Sequence, residues 1–181
     1  MKTPWGKSQT EDRIVDGVTR VTTASHGGVK LDRRRNAAVH PAWRQKGGWY
    51  EEDVHICVVA YTFPVVGELL GILPRTVECV LKNYYPHQWV RATGRGVTAA
   101  ESRVLREEAF TLASQGKWVS SAAWGNGCNT VIVFAVLDGQ GGPEGYFAVP
   151  STDYHSVPIA FADGAYPRFN TLHEARAHRG V

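Results

Sequence analysis

The stretch TAAESRVLREEAFTLASQGKWVSSAAWGNGCNTVIVFAVL, Thr98 to Leu137, decides the fold class, because its hydrophobic period changes from helical to strand-like part-way along. Thr98 followed by Glu101 has the form of a capping box, and Val104, Leu105, Ala109 and Leu112 then share one helical face, so a helix is expected from Thr98 to about Ser114. Beyond Gly116, Lys117–Trp124 and Thr130–Leu137 are rich in β-formers and are parted by Gly125-Asn126-Gly127, while Gly145–Val149 supplies one more short strand. A helix followed by an antiparallel meander, without βαβ alternation, reads as an α+β protein.

Upstream, Arg13–Ala24 is a β-branched run split by Asp16-Gly17, a dipeptide suited to a type I′ hairpin turn. Val29–Leu31 follows Gly27-Gly28 as a third strand, and Asp32 is placed to cap a short basic helix through Arg33, Arg34 and Arg35 that ends near Pro41. Val54–Phe63 is apolar and closed by Pro64; periodicity leaves helix and strand both open, and the acidic residues before it favour a helix. Pro74 opens another helix, with Val77, Val80 and Leu81 on one face, which breaks around Tyr85-Pro86. The expected architecture is a single α+β domain over residues 1–166, with hairpin and meander strands in one antiparallel sheet on two to four helices. An irregular or helical tail follows over 167–181, with a polar helical end at Leu172–His178.

Composition narrows the function classes. The chain has 181 residues, 43% of them hydrophobic and 20% charged, so it is globular, and its net charge of +3 excludes an acidic mimic of DNA. No apolar segment follows Lys2 as a signal sequence would, and Val54–Gly67 is shorter than the roughly 18 residues of a membrane-spanning helix. A cytoplasmic protein without membrane contact is expected. Cys57, Cys79 and Cys128 are odd in number and lack CxxC spacing, so they read as reduced thiols, with no structural metal and no cofactor.

Three groups of residues carry candidate chemistry. Trp49-Tyr50-Glu51-Glu52-Asp53 is the densest polar cluster; on a helix Glu51 and Glu52 each share a face with His55, and the acids serve equally as the N-terminal turn of the helix behind them. His26, before Gly27-Gly28, has the form of an anion-site or base residue and equally of a turn histidine, and no GxSxG, HExxH or Walker A motif supplies it with a partner. Arg33, Arg34 and Arg35 with Trp43 form a basic stretch with one aromatic, which suits phosphates only weakly and a solvated helix face better. Trp5, Trp49, Tyr50 and Trp43 are the aromatic binding candidates among a surplus of six tryptophans.

These blocks, Thr3-Pro4-Trp5-Gly6, Ser25-His26-Gly27-Gly28 with Leu31, and Gly48-Trp49-Tyr50-Glu51-Glu52-Asp53 with Phe63-Pro64, resemble a family of small proteins carried by conjugative plasmids, integrative elements and phages. Weaker similarity continues through Trp118–Ala122 and Phe147–Pro150 to about Tyr154, and His55 departs from the family's common acidic residue. The resemblance implies no chemistry; it implies a context near anti-restriction or another counter-defence step. The expected function is stoichiometric binding of a host or element-encoded protein. The alternatives are a hydrolase or nucleic-acid-modifying enzyme using His26 with Glu51, Glu52 or Asp53, and a virion component. Each block lies beside a glycine that permits close backbone approach, so Trp5, His26, Trp49 and Glu52 are expected to meet in one place.

Overall fold

A computed structural model describes residues 1–126, 129–155 and 157–178, and the fold is α+β with antiparallel sheets. The chain divides into two compact units, Met1–Glu107 and Glu108–Val181. Among the described residues no helix is long and apolar enough to cross a membrane.

The first unit opens with a two-stranded ribbon, β1 (Lys2–Thr3) and β2 (Gly6–Lys7). A four-stranded sheet follows in sequence order: β3 (Thr10–Val15), β4 (Val18–Thr22), β5 (Gly27–Leu31) and, after helix α1 (Arg33–Ala38), β6 (Trp49–Glu51). The β3–β4 hairpin forms at Asp16-Gly17 as read, but only Gly17 has a positive φ (75°). The turn is therefore not type I′, which needs positive φ at both central residues, and the register shifts between Arg13 and Val15 instead. The cap is as expected: the Asp32 carboxylate accepts from the Arg35 N–H at 2.7 Å.

Residues paired directly across the strands share a face. Val18 with Leu31, and Val29 with Tyr50, line one side, where they pack in the core with α2 (His55–Thr62), α3 (Pro64–Leu69), α4 (Pro74–Tyr84) and α5 (Pro86–Thr93). The apolar run from Val54 is thus a helix, with Cys57, Val58, Val59 and Ala60 buried, and Pro64 is the first residue of the next one, a position where its missing N–H costs nothing. The opposite side carries Val21, Gly28 and Glu51 in one row and Thr19, Lys30 and Trp49 in the next.

The Thr98–Glu101 capping box is present, but it closes a 3-10 turn, Ala99–Glu101, and helix α6 (Arg103–Ala113) starts afresh beyond Ser102. The apolar face read on this helix is not a core face: Val104 and Leu105 are half-buried, and Ala109 and Leu112 are exposed, Leu112 to 68%. Polar bonds hold its start instead, since the Asn83 side chain accepts from the Arg103 N–H at 2.7 Å and its carbonyl from the Ser102 hydroxyl at 3.1 Å.

The second unit is a five-stranded sheet built on the expected meander, β7 (Trp118–Gly125), β8 (Thr130–Leu137) and β9 (Glu144–Pro150). Short strands β10 (Ala160–Phe161) and β11 (Arg168–Phe169) extend its edges in the order β10-β7-β8-β9-β11, and α7 (Leu172–Ala177) carries its own capping box, Thr171 with Glu174. The helical end read at Leu172–His178 is this helix, while the stretch from residue 167 before it, read as irregular, contributes a paired strand. The hairpin and the meander belong to separate sheets, which corrects the single sheet inferred from sequence: Phe147, Trp118 and Phe161 give the meander its own core. Cys128 lies outside the described residues, whereas Cys57 and Cys79 are free thiols, Cys57 buried and Cys79 exposed.

Candidate functional site

The three sequence blocks meet on the outer face and the end of the β4–β5–β6 sheet. His26 sits in the turn between β4 and β5, where Thr23 closes the loop: its N–H and hydroxyl donate to the His26 carbonyl at 2.7 and 2.8 Å, and its Oγ1 accepts from the His26 N–H at 3.1 Å. The backbone is fixed and the imidazole is left 52% exposed. Gly27 and Gly28 are strand residues, Gly28 paired with Val21 on one side and Glu51 on the other, so they do not form an anion loop of the oxyanion type. Their role is steric. A Cβ at Gly28 would lie 2.6 Å from Trp5 Cη2 and 2.4 Å from the Tyr50 carbonyl oxygen, and one at Gly27 would lie 2.4 Å from Glu52 Oε2.

Glycine therefore seats the Trp5 indole over the strand, where it meets Trp49 edge-on with centroids 5.8 Å apart. Lys30, one row along, places its ammonium 4.9 Å above the Trp49 ring and donates to the Gly47 carbonyl. Both indoles are half-buried. At the end of β6, Glu51 Oε1 lies 3.8 Å from His26 Nδ1, and one ligand-type atom from each of His26, Glu51 and Glu52 falls within 4.8 Å of the others. Trp5, His26, Trp49 and Glu52 thus come together from three distant parts of the chain.

The helix-start reading of the acids is corrected. Glu51 ends a strand, Glu52 and Asp53 lie in a turn, and α2 begins only at His55 with no acidic residue in its first turn. The Asp53 N–H donates to Glu51 Oε2 at 3.0 Å, which orients that carboxylate toward His26. Asp53 itself is exposed and stands outside the cluster. His55 is not a member of this cluster and is engaged in a hydrogen bond of 2.7 Å with the Tyr85 hydroxyl. Burial holds its imidazole below the ordinary value, against the pull of Glu51, and burial raises the Tyr85 phenol.

Two of the aromatic binding candidates are core residues. Tyr50 is fully buried, its hydroxyl donating to Asn36 Oδ1 at 2.6 Å and accepting from the Gln45 N–H at 3.2 Å, because its place in β6 alternates with Trp49 and Glu51. Trp43 is 4% exposed and packs with Tyr61 and Trp89. Trp43 therefore does not stand among the arginines of α1 as a stacking partner. Arg34 lies 3.8 Å from Asp16, Arg35 donates to the Asp16 carbonyl at 3.0 Å and stacks over Phe63, and Arg33 lines a cleft of about 420 Å³ with Lys30 and Arg44.

Sequence reasoning passed over Lys30 and Arg20. Arg20 and Glu52 stand at a pocket of about 220 Å³ whose apolar wall is Ile56, Leu70 and Ile72. The alternation of β4 and β5 was the available signal for both, since it puts Lys30 in the row of Trp49 and Arg20 in that of Val29 and Tyr50.

Residues 1–115, which include every residue of this site, match the family described as a domain of unknown function, DUF7007. No curated protein and no solved structure matches the chain.

Proposed function

The chain belongs to the DUF7007 family, a membership that carries no activity, and from the site itself we propose that it acts by stoichiometric binding of a protein partner. The observation that carries this reading is the pair of half-buried indoles, Trp5 and Trp49, set edge to face and rimmed by Lys30, Glu51 and His26. A rigid aromatic anchor inside a charged rim is the anatomy of a binding hot spot. The setting we propose is that of a cytoplasmic accessory protein of a mobile element or phage, directed at a host protein in a counter-defence role. The net charge of +3 argues that such binding uses shape and apolar contact and not imitation of DNA.

The test is affinity for a partner isolated from host lysate, then purified and titrated by calorimetry. One-to-one binding is expected, weakened at least about thirtyfold, or about 2 kcal/mol, in Trp49→Ala, with His26→Ala mattering less. A partner whose affinity is indifferent to both Trp5→Ala and Trp49→Ala overturns the reading.

A second reading, a hydrolase or nucleic-acid-modifying enzyme, is favoured by the convergence of His26 with Glu51 and Glu52, a base and two carboxylates on one spot. Turnover of a substrate that disappears in folded His26→Ala protein promotes it over binding alone.

A further inference from the structure

We infer that His26, Glu51 and Glu52 form a binding site for a divalent transition-metal ion of the zinc type. The inference goes beyond partner binding and is tested without a partner.

The cluster differs from an acidic surface patch in three respects. Its ligands come from separate parts of the chain, the loop between β4 and β5 and the end of β6 with the turn after it, and combine an imidazole with two carboxylates within 4.8 Å. The groups do not satisfy one another: His26 Nδ1 and Glu51 Oε1 face each other at 3.8 Å, beyond hydrogen-bond length. Among the described residues neither the His26 ring nor the Glu52 carboxylate has another hydrogen-bond or ion-pair partner. The fold also makes room for the set. Glu52 Oε2 occupies the space that a Cβ at residue 27 would fill, so a side chain there would push this carboxylate out of the cluster.

The support around the ligands is of the kind a metal site needs. Glu51 is the least exposed of the three, its side chain 21% exposed and its Oε2 held by the Asp53 N–H while Oε1 points toward the imidazole. The His26 backbone is pinned by Thr23. Metal bonds of about 2.1 Å bring ligand atoms to about 3 to 3.5 Å from each other, so exposed His26 and Glu52 close onto the ion by side-chain rotation.

Ligand chemistry selects the metal. One imidazole with two carboxylates suits zinc and its first-row neighbours; calcium prefers six or more oxygens, and magnesium keeps its waters. Three protein ligands leave coordination positions open.

The experiment is calorimetric titration of the metal-stripped full chain with zinc chloride, together with quenching of tryptophan fluorescence by cobalt(II). One zinc per chain is expected, with cobalt quenching lost on zinc addition. Removal of an outer-sphere partner alone costs a metal site about tenfold or more, so His26→Ala and Glu52→Gln, both surface changes checked for folding by circular dichroism, are each expected to weaken zinc at least that much. Asp53→Asn keeps the N–H that orients Glu51 and is expected to leave affinity unchanged. Absence of saturable zinc binding overturns the inference, as does binding that His26→Ala and Glu52→Gln leave intact. Partner binding that persists without zinc leaves the previous reading standing on its own.

Discussion

A methyl group on Gly28 would sit 2.4 Å from the Tyr50 carbonyl oxygen, and since that neighbour is backbone, the sheet itself would have to move. Gly28→Ala is therefore expected to destabilise by about 1–3 kcal/mol in urea unfolding and to unseat Trp5, read as a red shift in its fluorescence. Gly96, with nothing within 4 Å of its missing Cβ, is the control: Gly96→Ala is expected to be neutral or slightly stabilising. His55 makes a second residue-scale expectation. Its folded imidazole titrates below the ordinary 6.5, so under acid the unfolded chain binds the proton first. Stability is whole above pH of about 6.5 and falls as the pH drops toward the folded value, and the fall in Tm from about pH 7.5 to 5.5 is expected to shrink in His55→Gln. Sequence marked Trp5, His26, Trp49 and Glu52 as unusual and their glycines as points of close approach. It did not show that Tyr50 and Trp43 are core residues, because burial of one aromatic among several is set by strand parity and helix packing and not by its neighbours in the chain.

A helix start was legible where its signal had a single reading, and was missed where a proline could equally end the segment before it. Asp32 and Pro74 each mark a helix start found in the structure, whereas Pro64 and Pro86, read as the ends of the segments before them, are each the first residue of a further helix, α3 and α5. Glu51–Asp53 misled because acids suit a helix start, yet pairing of Trp49–Glu51 with β5 draws the first of them into a strand. The Thr98 box was read correctly but given to the long helix, whereas it closes the 3-10 turn before it. That turn is an ionic device. The Lys82 ammonium, 2.9 Å away, and then the Thr98 N–H and hydroxyl hold the Glu101 carboxyl down to about 2. Its contribution is present above pH of about 4.5 and lost as the pH falls toward about 2. Thr98→Ala is expected to cost about 1 kcal/mol. On α6, Leu112→Ser is expected to change stability by less than about 0.5 kcal/mol, since the residue is 68% exposed; a loss comparable to core truncation would restore the apolar face to the core.

At the scale of the whole molecule, each unit has its own buried cluster. One runs from Val18 to Trp89 in the first unit, and the others from Trp118 to Ala175 in the second. The family match ends at residue 115 and the first unit at Glu107, so both boundaries fall on or just beyond α6, a helix with no buried residue of its own. A boundary is expected where little apolar surface ties the chain on either side. Sequence alone hid this division, because no Pro-, Gly- or Ser-rich linker marks it and the periodic face of α6 looked like core. The fragment 1–115 holds the whole four-stranded sheet, its helices and every residue of the candidate site, and its length is that of an ordinary domain. It is accordingly expected to unfold in one cooperative transition and, on the metal inference, to bind zinc within about threefold of the full chain, since neither core nor ligands draw on residues beyond it. Ile132→Ala, a fully buried change in the second unit, is expected to lower the stability of β7–β9 by about 2–5 kcal/mol in hydrogen exchange and to leave zinc affinity alone. A fragment that dissolves as a molten state, or an Ile132→Ala chain that loses zinc, would show instead that the site depends on the second sheet.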